Sequence, residues 1–145
     1  MNEVSTLRLY LLRAMYLLIA VGMGSIIWPR LVSHEPWGHM EGVAYAMLGA
    51  LSAVSLLGVR YPLQMLALLF FEFTWKAVWL LTIALPLSQT GPLDPDHAAS
   101  VFDTGLGVVL VPLVLPWKYV IANYVKKPAD RWRRARSQVL EGVSP

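Results

Sequence analysis

Residues 63–87 read LQMLALLFFEFTWKAVWLLTIALPL. The stretch exceeds the roughly 20 apolar residues that a helix needs to cross ~30 Å of hydrocarbon. In that medium only a helix or a closed barrel satisfies its own backbone. Two charges, Glu72 and Lys76, interrupt the run. A charge at the centre of a bilayer helix costs roughly 2.5 to 3.5 kcal/mol on insertion scales, so each needs a partner or a cavity. The four-residue spacing stacks them on one face with the glutamate N-terminal, the favourable order for an ion pair. Trp75 and Trp79 fall on the same side. This face is expected to point into a bundle.

Working outward, three further blocks meet the same length rule, at about 7–28, 42–59 and 98–124. Pro29 and Arg30 are expected to stop the first block and Arg60 the second. The chain is 57% hydrophobic and 14% charged, against roughly 25% charged in a soluble domain, and the connections leave no room for a separate soluble core. The fold expected is therefore all-α: an integral membrane four-helix bundle over residues 1–125, followed by a basic tail at 126–145. Short connections force consecutive helices to lie antiparallel and adjacent, an up-down-up-down order. Ser25-Ile26-Ile27-Trp28-Pro29-Arg30 lacks a small-x-small cleavage site, so the first block is read as a retained helix and not a secretory leader. Gly42, Ala46, Ala50 and Ala53 form a stripe suited to close helix packing within the bundle or, alternatively, in a homodimer. Pro112 and Pro116 should kink the fourth helix, whose outer half Gly105 and Gly107 make pliable.

Orientation follows from the basic residues, because positively charged loops stay in the cytoplasm. With the N-terminus inside, Arg8, Arg13, Arg60, Lys118 and the six basic residues of the tail all fall on or near the cytoplasmic face, and only Arg30 falls outside. This reading implies an inner (plasma) membrane protein with both termini cytoplasmic. Trp28, Trp37 and Trp117 lie near helix ends, where indoles favour the interface. The tail, with Lys126, Lys127, Arg131, Arg133, Arg134 and Arg136, suits anionic lipid head groups and not a nucleic-acid groove. Between Ala129 and Leu140 it has the pattern of a short helix lying on the head groups. The other expected partner is a membrane protein.

Cysteine is absent, which excludes disulfides, thiolate metal sites and cysteine nucleophiles. No phosphate loop, dinucleotide fingerprint or nucleophile-base-acid pattern occurs, and no cofactor is required. The polar core around Glu72 and Lys76 has three readings. It is a register-fixing ion pair helped by Arg13 or Glu41 from neighbouring helices. Or it is the polar corner of a pocket, lined by Trp75, Trp79, Tyr16 and Tyr45, for a lipid or quinone-like molecule. Or Glu72 is a titrating group, with Glu41, in a proton-coupled carrier or membrane enzyme, which a lysine one turn away opposes. Glu41 also suits the positive end of the second helix dipole, and Arg13 can snorkel toward head groups. His34, His39 and His97 gather at the outer mouth with Glu35, Asp94, Asp96 and Asp103, where imidazoles and carboxylates could hold a metal, although the spacing matches no metal motif. Asp94-Pro95-Asp96 has the chemistry of a turn and helix cap.

The Leu12-Arg13 pair followed by Gly22 and Gly24, on a cysteine-free chain of four spans, resembles the DoxX-like group of small four-helix bacterial membrane proteins. In that family the first helix carries an early arginine, then a glycine followed shortly by a lysine. Arg13 and Gly24 match the first two, and Ile27, Trp28 and Pro29 stand in the lysine region. The resemblance implies an accessory role, as partner of a redox enzyme or as an assembly factor, and transfers no catalytic residue.

Overall fold

The computed structural model describes residues 4–34, 36–92 and 94–129. Glu35 and the tail residues Arg131, Trp132, Arg133, Arg134, Arg136, Val139 and Leu140, with the helix expected there, lie outside them. The described residues form helices and connections with no strand. Four helices are long and apolar enough to cross a membrane: α1 (Thr6–Val32), α2 (His39–Arg60), α3 (Leu66–Thr90) and α4 (Pro95–Val114). A short helix α5 (Trp117–Val120) follows and runs on as a π-helical turn to Lys126.

Local chemistry sets the ends. The Ser5 hydroxyl accepts from the Arg8 amide at the start of α1, and the Asp94 carboxylate accepts from the His97 amide at 2.9 Å at the start of α4. Both are side-chain caps on otherwise unpaired donors. Pro29 does not stop α1 as expected. A proline removes one internal hydrogen bond, yet the turn beyond it is held by packing, with Ile27 and Leu31 seated over Gly49 of α2. Two π-helical stretches, Leu18–Met23 in α1 and Leu80–Ala84 in α3, carry each helix through its middle.

The expected fourth span of 98–124 is divided. Pro112 is accommodated within α4, but Leu115 is extended at φ −58°, ψ 131°. Pro116 excludes the helical region for the residue before it, and the helix therefore ends there. The freed carbonyls find donors: the Trp117 indole reaches the Pro112 carbonyl at 2.8 Å, and the Arg8 guanidinium donates to the carbonyl of Leu115.

Packing divides the molecule into two helix pairs. α1 lies along α2, and α3 along α4, while α2 meets α3 only sparingly. Backbone contact between α1 and α4 is confined to Thr6–Leu17. The shared core accordingly sits at that end, where Leu12, Met15 and Tyr16 of α1 meet Leu66 and Leu69 of α3 and Val111 of α4. Tyr16 is fully buried, its ring pressed on Gly58 and its hydroxyl donating to the Pro62 carbonyl at 3.0 Å. Beyond this core the pairs lose backbone contact. Of the stripe expected to pack α2, Gly42 is half-buried beside Trp37, and Ala46, Ala50 and Ala53 are exposed. Gly49, Ser52, Ser55 and Gly58 are buried instead, because they are the positions facing α1. Ser52 accepts from the Trp28 indole at 2.9 Å and donates to the Gly49 carbonyl at 2.8 Å, tying α1 to α2 with no polar group left over.

Candidate functional site

Where the two pairs lose contact, a cleft of about 350 Å³ opens between α1 and the α3–α4 pair. Met15, Leu18, Ile19 and Met23 of α1 supply much of its apolar wall. Three of these belong to the π-helical stretch, a widening of the helix that recurs at functional sites.

The polar corner comes from α3. Lys76 Nζ lies 2.7 Å from Glu72 Oε1, and the Trp75 indole donates to Glu72 Oε2 at 2.7 Å. The glutamate side chain is 1% exposed and the lysine 16%. Helical spacing alone brings the three together: positions three and four apart share a face. Two oxygens and two donors are matched, as a buried carboxylate requires. The lysine also lies 5.7 Å from the centre of the Trp75 ring, within cation–π range. Its stem runs across Gly107 of α4, where a Cβ would come within 2.9 Å of Lys76 Cδ. The absence of a side chain at Gly107 is what lets the ion pair fit between the helices.

α4 adds Asp103 and Thr104 to the cleft. Asp103 has no cation within 4.0 Å among the described residues. The cleft therefore holds two carboxylates and one ammonium. The sequence places Asp103 at the outer mouth with the histidines and gives Gly107 only a part in helix pliability; neither is expected beside Glu72 and Lys76. The signal was there: Asp103 is an acid within an apolar block, the criterion that marks Glu72.

Several expected members lie elsewhere. Trp79 is half-buried on α3 outside the cleft lining, and Tyr16 is committed to the core contact with Gly58 and Pro62. Tyr45 stacks on Trp37 at 4.2 Å between ring centres and accepts from Arg30 at 2.6 Å, at the far end of α2. Arg13 donates to the Val59 carbonyl at 3.2 Å and sits 5.8 Å from the Tyr10 ring. Neither it nor Glu41, exposed in the first turn of α2, makes an ion pair among the described residues.

The histidines do not converge. His34 has φ 52° and a ring nitrogen 2.6 Å from the Val32 carbonyl, and His39 opens α2. His97 Nδ1 lies 2.7 Å from the Asp94 carboxylate. The His97 backbone N–H, followed by its ring, holds the Asp94 carboxyl below the usual carboxylate range. Among the described residues no three His, Cys, Asp or Glu side chains are grouped to hold a metal ion.

Compared with known proteins, the chain matches no family model, no curated protein and no solved structure. Its class rests on its own geometry: an all-helical chain with four helices long and apolar enough to cross a membrane, and an apolar cleft cornered by a glutamate, a lysine and a tryptophan.

Proposed function

We propose that the protein is a multi-pass inner-membrane protein with both termini cytoplasmic, its four long helices crossing in up-down-up-down order, and that it binds an apolar small molecule in the cleft between its helix pairs. Lipid as the surrounding medium is supported by the large apolar side chains on the outer helix faces, among them Leu17, Val21, Leu56, Leu81, Val109 and Leu113, all exposed. So much contiguous apolar surface marks contact with a membrane or partner. The orientation rests on Arg8, Arg13, Arg60 and Lys118 gathering at one end.

A single observation carries the binding reading: an apolar cavity of about 350 Å³ with one preorganised polar corner. Ligand sites generally combine apolar walls with a few fixed polar groups. A lipid or quinone-like molecule would lay its apolar part along α1 and set its polar end near Glu72, Trp75 and Lys76. Because both oxygens of Glu72 are held at 2.7 Å, the carboxylate serves this reading as a fixed anchor in preference to the proton-coupled carrier or membrane enzyme. The resemblance to the DoxX-like group agrees with an accessory role, in which the exposed face of Ala46, Ala50 and Ala53 would meet a membrane partner.

Native mass spectrometry from a gentle detergent tests the reading. The wild-type chain should carry one small apolar molecule, and Leu18→Trp, which fills the cleft from α1, should lose it with the fold intact. A wild-type chain that retains no molecule and takes up neither added lipid nor quinone would refute it.

A further inference from the structure

The charges in the cleft do not balance. Glu72 and Lys76 neutralise one another at 2.7 Å, which leaves Asp103 as a net negative charge on the opposing wall. Asp103 sits about 12 Å along α4 from its first residue, at a rise of 1.5 Å per residue. Asp103 is exposed in the structure, and on the membrane reading above an uncompensated carboxylate at that depth faces lipid or the cleft, where it is costly. Lys76 cannot serve both acids. Its stem lies over Gly107, one helical turn from Asp103, but moving its ammonium to Asp103 would strand Glu72, which is 1% exposed. A cation from outside the chain can meet Asp103 with no such loss. Trp75 lines the same cleft, its ring held in place by the bond to Glu72 and already within cation–π range of Lys76, so it offers such a cation's alkyl groups an apolar wall. Met15 and Met23 add polarizable thioethers to the apolar wall.

We propose that the cleft selects an amphiphile with a cationic ammonium head, which pairs with Asp103 beside Trp75 while its chain lies along α1. This rests on the apolar-ligand reading above and names the chemical class of the ligand. A neutral head would leave Asp103 uncompensated, and an anionic head would be repelled, since the cleft's own ammonium is already paired.

The test uses the full chain in phosphatidylglycerol nanodiscs, with radiolabelled decyltrimethylammonium as the probe and binding to empty discs subtracted. Decyl sulfate and decanol, which share its chain length, are the competitors. Saturable binding of one probe per chain is expected, with decyl sulfate at least about tenfold weaker as a competitor, a factor equivalent to 1.4 kcal/mol. Asp103→Asn should remove that preference while decanol binds as before, and Asp103→Glu, which keeps the charge, should restore it. In phosphatidylethanolamine discs, suppressed probe binding identifies the ammonium as that of a bilayer lipid, and unchanged binding identifies a free amphiphile. Equal affinity for all three heads, or a preference that survives Asp103→Asn, overturns the inference and leaves the apolar-ligand reading standing. Should none of the three bind saturably, both are overturned.

Discussion

Lys76→Met should destabilise the protein far more than Glu72→Gln, and the reason lies in the unequal burial of the pair. The glutamate is 1% exposed and the lysine 16%. Removing one partner of a buried pair costs roughly 3 to 5 kcal/mol, because the other charge is left where water cannot reach it. In Lys76→Met the stranded charge is Glu72, which keeps only the Trp75 indole as a donor. One charge-assisted hydrogen bond is worth roughly 1.5 to 3 kcal/mol, so the loss should lie near the lower bound, about 3 kcal/mol. In Glu72→Gln the remaining charge is the more exposed lysine, which lines the open cleft that also holds Asp103. The amide oxygen can still accept from it, the Trp75 indole then faces the amide NH2 and loses its acceptor, and a cost of about 1 to 2 kcal/mol is expected. Glu72→Leu combined with Lys76→Met removes both charges at once, an exchange that is commonly neutral or stabilising. The order of stability is therefore wild type and double variant together, then Glu72→Gln, then Lys76→Met. Unfolding of the purified chain in mixed micelles, followed by tryptophan fluorescence, measures all four, and Glu72→Leu alone closes the double-mutant cycle that isolates the coupling. Lys76→Met within about 0.5 kcal/mol of wild type, the range of ordinary surface substitutions, would mean that the pair is bathed in water and that the reasoning is wrong.

Gly58→Ala tests the contact between α1 and α2. An exposed helix position gains about 1 kcal/mol from this change, but here the methyl meets the fully buried Tyr16 ring, which is pinned through its hydroxyl to Pro62. Overpacking of roughly 1 to 3 kcal/mol should make the net effect destabilising, relieved in a Tyr16→Leu background; a higher unfolding midpoint for Gly58→Ala alone would contradict it. Pro116→Ala should let α4 continue into α5, since Leu115 is extended only because a proline follows it. Slower amide hydrogen exchange at 115–118 is the expected signature, and unchanged exchange would count against this account of the break. The Asp94 cap on α4 should be pH-dependent in a defined direction. Its carboxyl is held below the usual range in the folded state, so its contribution is complete above about pH 4. It is lost as pH falls through the lower folded-state value. Amide protection at 97–99, with the intrinsic pH dependence of exchange divided out, should therefore fall in acid in the wild type and show no such step in Asp94→Ala; an identical step in both would refute the cap.

The long apolar blocks were legible because length and hydropathy are properties of the chain itself, and the bounds at α2 fell within a few residues of those read from the sequence. Proline was the weak point. Pro29 and Pro116 carry the same local restriction, yet one lies inside a helix and the other ends one. The difference is tertiary: Gly49 receives the turn around Pro29, whereas Arg8 and Trp117 satisfy the carbonyls freed near Pro116. Small residues left a choice that spacing could not make. α2 offers two stripes, and only the neighbour at Gly49, Ser52, Ser55 and Gly58 determines which is used. The Glu72–Trp75–Lys76 constellation was readable from one helix, since i+3 and i+4 neighbours need no tertiary knowledge. Tyr16 and Tyr45 required knowing how helices pair, and so their expected place beside Lys76 did not follow from spacing.

The position of the ion pair bears on what it is for. The core runs through Leu66 and Leu69 of α3 and stops one turn before Glu72, at the level where α1 and α4 lose backbone contact. A carboxylate and an ammonium there add little to stability, since an apolar pair of similar volume would hold the helices as well or better. Their effect falls on the cavity. They set a fixed dipole in its wall, they hold the Trp75 ring, and by satisfying one another they leave Asp103 as the cleft's unpaired charge, the one a ligand would meet on the proposed reading. Gly107 belongs to the same device, because any side chain there would displace the lysine stem and open the pair. On the proposed reading, a cleft built in this way would discriminate by head-group charge while its apolar walls accept many chain shapes, which is the behaviour the amphiphile competition is designed to read.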